Sequence, residues 1–261
     1  MDNESSLKAV LVVTATALVC SVLVTVAAVT LQPIQQAYQD LERIRFIVDV
    51  SGVANSLDEM SELEIIGAFQ DLDARIVDLE LGVFDSTYNP RTFDALVTED
   101  QQFTVSIPEN QDLARLGQRP RLLAVYQLGN LDELQRLILP VYGQGMWSTI
   151  YGFVALESDL NTIAAMTIYD QGETAGIGDV ILRPDWLAAW AGRKIYDEQG
   201  DLRFRIARGA VDPDSPEAEF QVDGLAGATV TMNGVSNLIR YWFGPHGYAK
   251  FLNNISLTGG I

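Results

Sequence analysis

The sequence predicts an α+β protein: one N-terminal membrane-spanning helix, then a domain built around a mostly antiparallel sheet. Three observations lead there. No charged residue occurs from Ala9 to Leu31, a longer run than the roughly 20 apolar residues a helix needs to cross a bilayer. Between residues 74 and 169 several short segments rich in β-branched and aromatic residues follow one another, as strands do. Segments of helical period recur further on, without strict alternation with the strands, which favours α+β over a parallel α/β sheet.

The elements follow in order. A cleavable signal peptide is the competing reading of residues 9–31, since Ala27-Ala28 could mimic a cleavage site. Signal cores are about 7–15 residues, and this run is longer, so an uncleaved anchor is expected. Charges on its two sides (Lys8 against Arg43 and Arg45, each among acids) do not settle its orientation. Ile34, Ala37, Tyr38, Leu41 and Ile44 continue the helical spacing, with Pro33 tolerated near its start. Gly52 to Asp58 reads as a break. Ser56 with Glu59 would form a capping box and open a short helix to about Phe69. Strands are expected at 74–81, 122–127, 137–142, 149–156, 162–169 and 202–207, and helices at 184–190, 233–243 and 246–253. The domain scheme is an N-terminal segment 1–8, an anchor 9–31, a helical connector 32–58 and a globular domain 59–261.

Composition narrows the function. Asp and Glu number 35 against 17 basic residues, a formal net charge of −18. Such a surface repels phosphate backbones, so nucleic-acid binding is excluded as a working reading. Cys20 is the single cysteine and lies inside the apolar run, which leaves no intrachain disulfide, thiolate zinc site or iron–sulfur cluster. His246 is the single histidine, so neither a Ser-His-Asp triad nor a histidine-rich metal site is expected. Asp58, Glu62 and Asp71 read as a solvated helix face.

Three segments stand apart. Gly143-Gln144-Gly145-Met146-Trp147-Ser148 joins two strands; it lacks the third glycine and following helix of a dinucleotide fingerprint. Gln171-Gly172-Glu173-Thr174-Ala175-Gly176-Ile177-Gly178 is a loop able to present backbone N–H groups and the Thr174 hydroxyl. Asp223-Gly224-Leu225-Ala226-Gly227-Ala228-Thr229-Val230-Thr231 places small residues, which leave backbone uncovered, before a helical stretch from Asn233. Thr231 at that helix entrance would be a natural N-cap, and a phosphate ester there would meet free N–H groups and the positive end of the dipole. Read alone, each segment also suits an ordinary turn: a hairpin with a core tryptophan, a polar loop, a capped helix.

Together they resemble a known family. The third segment is similar to the flavinylation motif Asp-x-x-Ser/Thr-Gly-Ala-Thr-x-Thr. The first resembles the Gly-x-Gly-x-Trp-Ser signature of the C subunits of sodium-translocating NADH:quinone oxidoreductases, followed by their Tyr-x-Phe-Val-Ala-Leu-like strand, here Tyr151 to Leu156. The second resembles the family's His-x-Glu-Thr-Pro-Gly-Leu-Gly; Glu173, Thr174, Gly176 and Gly178 match, while Gln171 and Ala175 depart. The resemblance covers almost the whole chain.

It implies FMN carried through a threonine phosphodiester, with Thr231, the last threonine of the motif, as the attachment residue. Gly145, Trp147, Ser148, Glu173, Thr174, Gly176, Ile177, Gly178, Asp223, Gly227, Ala228 and Thr229 become the expected FMN-binding residues, with Trp147 beside the ring and Ile177 covering it. It further implies a complex of six subunits in the bacterial inner membrane that oxidises NADH, reduces ubiquinone and exports sodium. In that complex the chain would have residues 1–8 in the cytoplasm and its domain in the periplasm, and would pass electrons from an iron–sulfur centre to FMN on the B subunit. A flavin transferase using FAD, with magnesium, would perform the attachment and release AMP. Two alternatives stand beside it: the G subunit of the related ferredoxin-oxidising (Rnf) complex, and a non-redox anchored domain.

Overall fold

The computed structural model describes residues 3–53, 57–93, 103–130 and 133–258. It divides into two compact units, Met1–Arg43 and Ile44–Ile261.

The first unit is helical. It lies within α1, Asn3–Ser51, which contains Pro33. From Lys8 onward the most apolar window has a mean hydropathy of 2.5 and none of it is buried. In lipid a polar group is best satisfied by an internal partner, and three of the hydroxyls here are. Thr16, Thr25 and Thr30 donate to the carbonyls of Val12, Ser21 and Val26 at 2.8–2.9 Å. Removing residues 1–31 is expected to transfer the chain from the membrane pellet to the soluble fraction. Persistent membrane association of the folded, shortened chain would refute a single anchor.

The second unit begins earlier than the expected boundary at residue 59, because Ile47, Val48 and Val50, near the end of α1, are already buried. The helix stops at Ser51, where the break is expected, and Gly52 takes φ +70°. Ser56 lies outside the described residues; a capping box is present at Ser61 and Glu64, opening α2 (Glu62–Asp71). The reason is local: the Glu64 carboxylate accepts from Ser61 N–H at 2.8 Å while Ser61 Oγ accepts from Glu64 N–H. Glu62 and Asp71 are exposed, as expected of a solvated face.

The main sheet comprises β1 (Asp73–Asp78), β2 (Val83–Asp85), β5 (Leu122–Leu128), β6 (Arg136–Gln144), β7 (Thr149–Glu157) and β8 (Ile163–Asp170). Their order is β2-β1-β5-β6-β7-β8, antiparallel at every step. Between β2 and β5 lies a separate antiparallel pair, β3 (Thr104–Ser106) with β4 (Gln118–Pro120). β1 ends three residues short of the expected Leu81, because the Asp78 carboxylate accepts the N–H groups of Glu80 and Leu81 and turns the chain. The expected strand at 202–207 is reduced to β9 (Arg205–Ile206), paired in parallel with β10 (Gln221–Val222).

Alternation along the strands makes two cores. Ile138, Phe153 and Ala155 face the end of α1 with Ile47, Val50 and Leu72. On the opposite face Leu137, Leu139, Val141 and Val154 pack with residues of α3 (Pro184–Ala188), α4 (Thr229–Trp242) and α5 (Ala249–Thr258). α4 buries Met232, Val235, Leu238, Ile239 and Trp242, a helical stripe. It approaches the β6–β7 hairpin closely. A Cβ on Gly234 would lie 2.8 Å from the Gln144 carbonyl oxygen, and one on Gly143 would lie 2.6 Å from Leu238 Cβ. Trp242 Nε1 and Tyr248 Oη donate to the carbonyls of Tyr142 and Pro140 on β6, at 2.6 and 2.7 Å. The start of α4 is thereby held beside the hairpin turn.

Candidate functional site

Three loops meet at one buried carboxylate. The hairpin between β6 and β7 closes with Gly145 N–H donating to Ser148 O at 2.8 Å. Next along the chain, the loop after β8 docks on it: Gly172 N–H donates to Ser148 Oγ at 2.5 Å. Glu173, 8% exposed, then reaches both neighbours. Its Oε1 accepts Trp147 N–H at 3.0 Å and its Oε2 accepts the Thr231 hydroxyl of α4 at 2.5 Å. Two glycines make room for it. A Cβ on Gly145 would stand 2.6 Å from Glu173 Oε1, and one on Gly178 would stand 2.7 Å from Glu173 Cβ and 3.1 Å from Thr231 Oγ1.

Burial pushes the Glu173 carboxyl upward. The Thr231 hydroxyl and the backbone N–H groups of Trp147, Met146 and Ser148 outweigh that and hold it below the ordinary 4.5. Its folded value is therefore below its unfolded one, so its contribution to stability is complete above pH 4.5 and is lost as acid titrates it between those values. Urea midpoints are expected to fall as pH drops through that window, and Glu173→Gln to flatten the fall. Equal acid sensitivity in both proteins would assign the effect elsewhere.

The loop 171–178, which carries the two departures at Gln171 and Ala175, is held by its own hydrogen bonds. Gln171 Oε1 accepts Glu173 N–H at 2.6 Å. Thr174 O accepts from Ile177 and Gly178 N–H at 3.1 and 2.8 Å, and Asp179 Oδ1 accepts Gly176 N–H at 2.7 Å. Gly176 is required for its φ of +75°, since a Cβ there meets nothing within 4 Å; the close approach belongs to Gly178. The side chains that point outward are apolar. Trp147 is 65% exposed, Ile177 53% and Val230 53%, so Trp147 is not a core tryptophan.

The third segment departs from expectation. α4 starts at Thr229, not Asn233, with Ala228 as its N-cap and no capping side chain. Thr231 is thus not at the helix entrance but two residues inside, 2% exposed and turned inward to Glu173. Residues two apart on a helix are about 200° apart around its axis, so Thr229 faces the opposite way and is exposed. It lines a groove of ≈ 420 Å³ with Ile206, Ala207, Arg208, Leu225, Met232 and others, within the roughly 300–1,000 Å³ usual for small-molecule sites. Among the described residues the N–H groups of Thr229, Val230 and Thr231 make no hydrogen bond, and Arg208 forms no ion pair.

Asp223 supports the groove wall. Its carboxylate accepts Val211 N–H at 2.7 Å and its carbonyl accepts Trp186 Nε1–H at 2.8 Å. Gly224 packs so closely on the segment after β9 that a Cβ would meet Ala207 O at 2.1 Å. Gly227 turns the chain into α4 with φ +85°. Gly145, Trp147, Ser148, Glu173, Gly178 and Thr231 are therefore gathered around one carboxylate, with Thr174, Gly176 and Ile177 on its loop. Thr229 lines the groove, and Asp223 stands next to its lining residue Gly224. Arg208 and Ile206 escape the sequence reading, because nothing local marks them and the β9–β10 pairing brings their segment there; Met232 lies one turn after Thr229 on α4.

Residues 145–244 match the family model described as FMN-binding domain, a span that contains all three loops. Over 256 residues, 97% of both chains, the sequence is 41% identical to the C subunit of the Na(+)-translocating NADH-quinone reductase of Pseudomonas aeruginosa. This chain belongs to the family of Na(+)-translocating NADH-quinone reductase C subunits. The C subunit of the Yersinia pestis enzyme is 37% identical over 97% of this chain and 94% of its own length. The crystal structure of Shewanella oneidensis NqrC superposes with a TM-score of 0.73 at 30% identity, covering 84% of this chain and 98% of that one. Membership of the NqrC family displaces the alternative drawn from the ferredoxin-oxidising complex. It also accounts for the α+β domain behind a long apolar helix, and for the exposed tryptophan beside a glycine hairpin.

Proposed function

We propose that this NqrC-family chain is a membrane-anchored electron relay carrying FMN through a threonine phosphodiester, and that Thr229 rather than Thr231 holds it. One observation carries the choice of residue. The Thr229 hydroxyl opens to a groove at an uncapped helix start, whereas Thr231 is buried and occupied by Glu173. A transferase needs an accessible nucleophilic oxygen, and a phosphodiester anion is best stabilised by free N–H groups at the positive end of a helix.

The residues fit such a group. The N–H groups of the first turn of α4 and the Arg208 guanidinium supply charge complementarity in a chain of net charge −18. Exposed Trp147 and Ile177 supply apolar cover suited to a planar ring. Bound FMN supplies the electron-carrying chemistry, and the protein's part is to fix its place and surround it. No side chain needs to transform a substrate.

Within the complex, the chain takes the place its family implies. Its partners are the membrane subunits bearing the iron–sulfur centre, from which electrons arrive, and the B subunit, whose FMN receives them. The complex oxidises NADH, reduces ubiquinone and exports sodium. Residues 9–31 anchor the chain in the inner membrane with the N-terminus in the cytoplasm and the domain in the periplasm, where a flavin transferase loads it. The test is peptide mapping of the full chain co-produced with its transferase: one FMN is expected on the peptide spanning Asp223 to Arg240, with fragment ions assigning it to Thr229. A chain that folds in the membrane and never acquires FMN would defeat the reading.

A further inference from the structure

The geometry points to Glu173 and Thr231 as a positioning clasp that sets the first turn of α4 for flavin transfer to Thr229, with neither residue contributing an atom to the bond. It rests on the flavin-carrying reading above.

The argument is one of connectivity. Among the described residues, Glu173 is the one group that touches all three loops. Its Oε1 side takes the hairpin through Trp147 N–H, its Oε2 side takes α4 through the Thr231 hydroxyl, and its own backbone belongs to the third. Glu173 and Thr231 lie far apart in sequence and join nowhere else by side-chain hydrogen bonds among the described residues. Hydrogen bonds to an ionised acceptor are the stronger kind, and a carboxylate at 8% exposure is shielded from competing water. The space for it is kept by Gly145 and Gly178, at both of which a Cβ would collide with Glu173.

The clasp also replaces a missing cap. α4 begins at Ala228 without a side-chain N-cap, so nothing local fixes the pitch of its first turn. Thr231, at the third helical position, is instead tethered from outside. Since Thr229 and Thr231 point to opposite faces, pulling Thr231 inward turns Thr229 outward into its groove. A small displacement of a nucleophile from its productive place slows reaction on the order of a hundredfold.

The test uses the full chain in detergent, purified without flavin, with purified transferase, FAD and magnesium. Covalent flavin is followed in time at a temperature where circular dichroism shows every variant folded. Thr231→Val is expected to slow transfer on the order of tenfold to a hundredfold, with the label still mapping to Thr229. Thr231→Ser, which keeps the hydroxyl, is expected to recover most of the rate. Glu173→Ala should be slow to a similar degree, and adding Thr231→Val to it should slow it little further, because both changes open the same clasp. A rate in folded Thr231→Val equal to wild type would overturn the inference, as would equal slowing in Thr231→Val and Thr231→Ser. If Glu173→Ala does not fold, the threonine pair decides alone. Failure of the wild-type chain to take flavin would instead strike the reading on which the clasp rests.

Discussion

Thr229→Val is expected to abolish covalent FMN, taking the chain from a full complement to none while leaving its fold intact. Valine is close in shape to threonine and Thr229 is exposed, so the change removes the hydroxyl without opening a cavity; surface changes of this kind usually shift stability by about 0.5 kcal/mol or less. Fluorescence of the denatured band and intact mass both read the outcome. Thr231→Val must behave differently: slower loading, the same site. That contrast separates the two threonines cleanly, since an attachment residue cannot be replaced by valine at any rate. Flavin remaining on Thr229→Val, or fragments carrying it on Thr231, would reverse the assignment. The phosphodiester would then have to form inside the Glu173 contact, displacing the hydrogen bond at 2.5 Å.

Trp242→Ala is expected to destabilise the domain by about 3–5 kcal/mol, the usual cost of truncating a buried large aromatic. Trp242 is fully buried at the end of α4, its ring 4.9 Å from that of Tyr142 and 5.4 Å from that of Tyr248. Alanine would leave a cavity and strand the Tyr142 carbonyl, which now accepts the indole N–H. Trp242→Phe fills most of the space and loses mainly the hydrogen bond, so it should cost less. Urea denaturation of the three proteins checks the order. The functional consequence is remote but direct, because α4 is pinned to β6 at this end and carries Thr229 at the other. A Trp242→Ala protein as stable as wild type would mean that α4 is held elsewhere.

Much of the chain is readable without coordinates. An uncharged run longer than a bilayer is thick can only be a spanning helix or a signal. The strands at 122–127, 137–142, 149–156 and 162–169 lie within one or two residues of β5 to β8, because buried strands of a central sheet are dense in Val, Ile, Leu and aromatic residues. Gly52 marks the end of α1, since a positive φ costs glycine least. The three loop motifs are equally visible, being made of glycines and hydroxyl residues that no core pattern explains.

What the sequence determined by itself was therefore the class of protein: an α+β domain behind a helix apolar enough to span a membrane, with three unusual loops. Only the tertiary structure shows how those loops meet. The helix start moved from Asn233 to Thr229 because packing against β6 fixed α4, and local propensity could not see that contact. A capping box stands at Ser61 and Glu64, which repeat the spacing of Ser56 and Glu59 five residues further on. The partition between Thr229 and Thr231 is the sharpest case. The linear motif points to its last threonine, Thr231, but a helix sends two threonines two residues apart to opposite faces, Thr231 toward a buried carboxylate 58 positions away and Thr229 toward a groove. Long-range contacts such as these depend on which loops meet, and one-dimensional spacing does not encode which loops will meet.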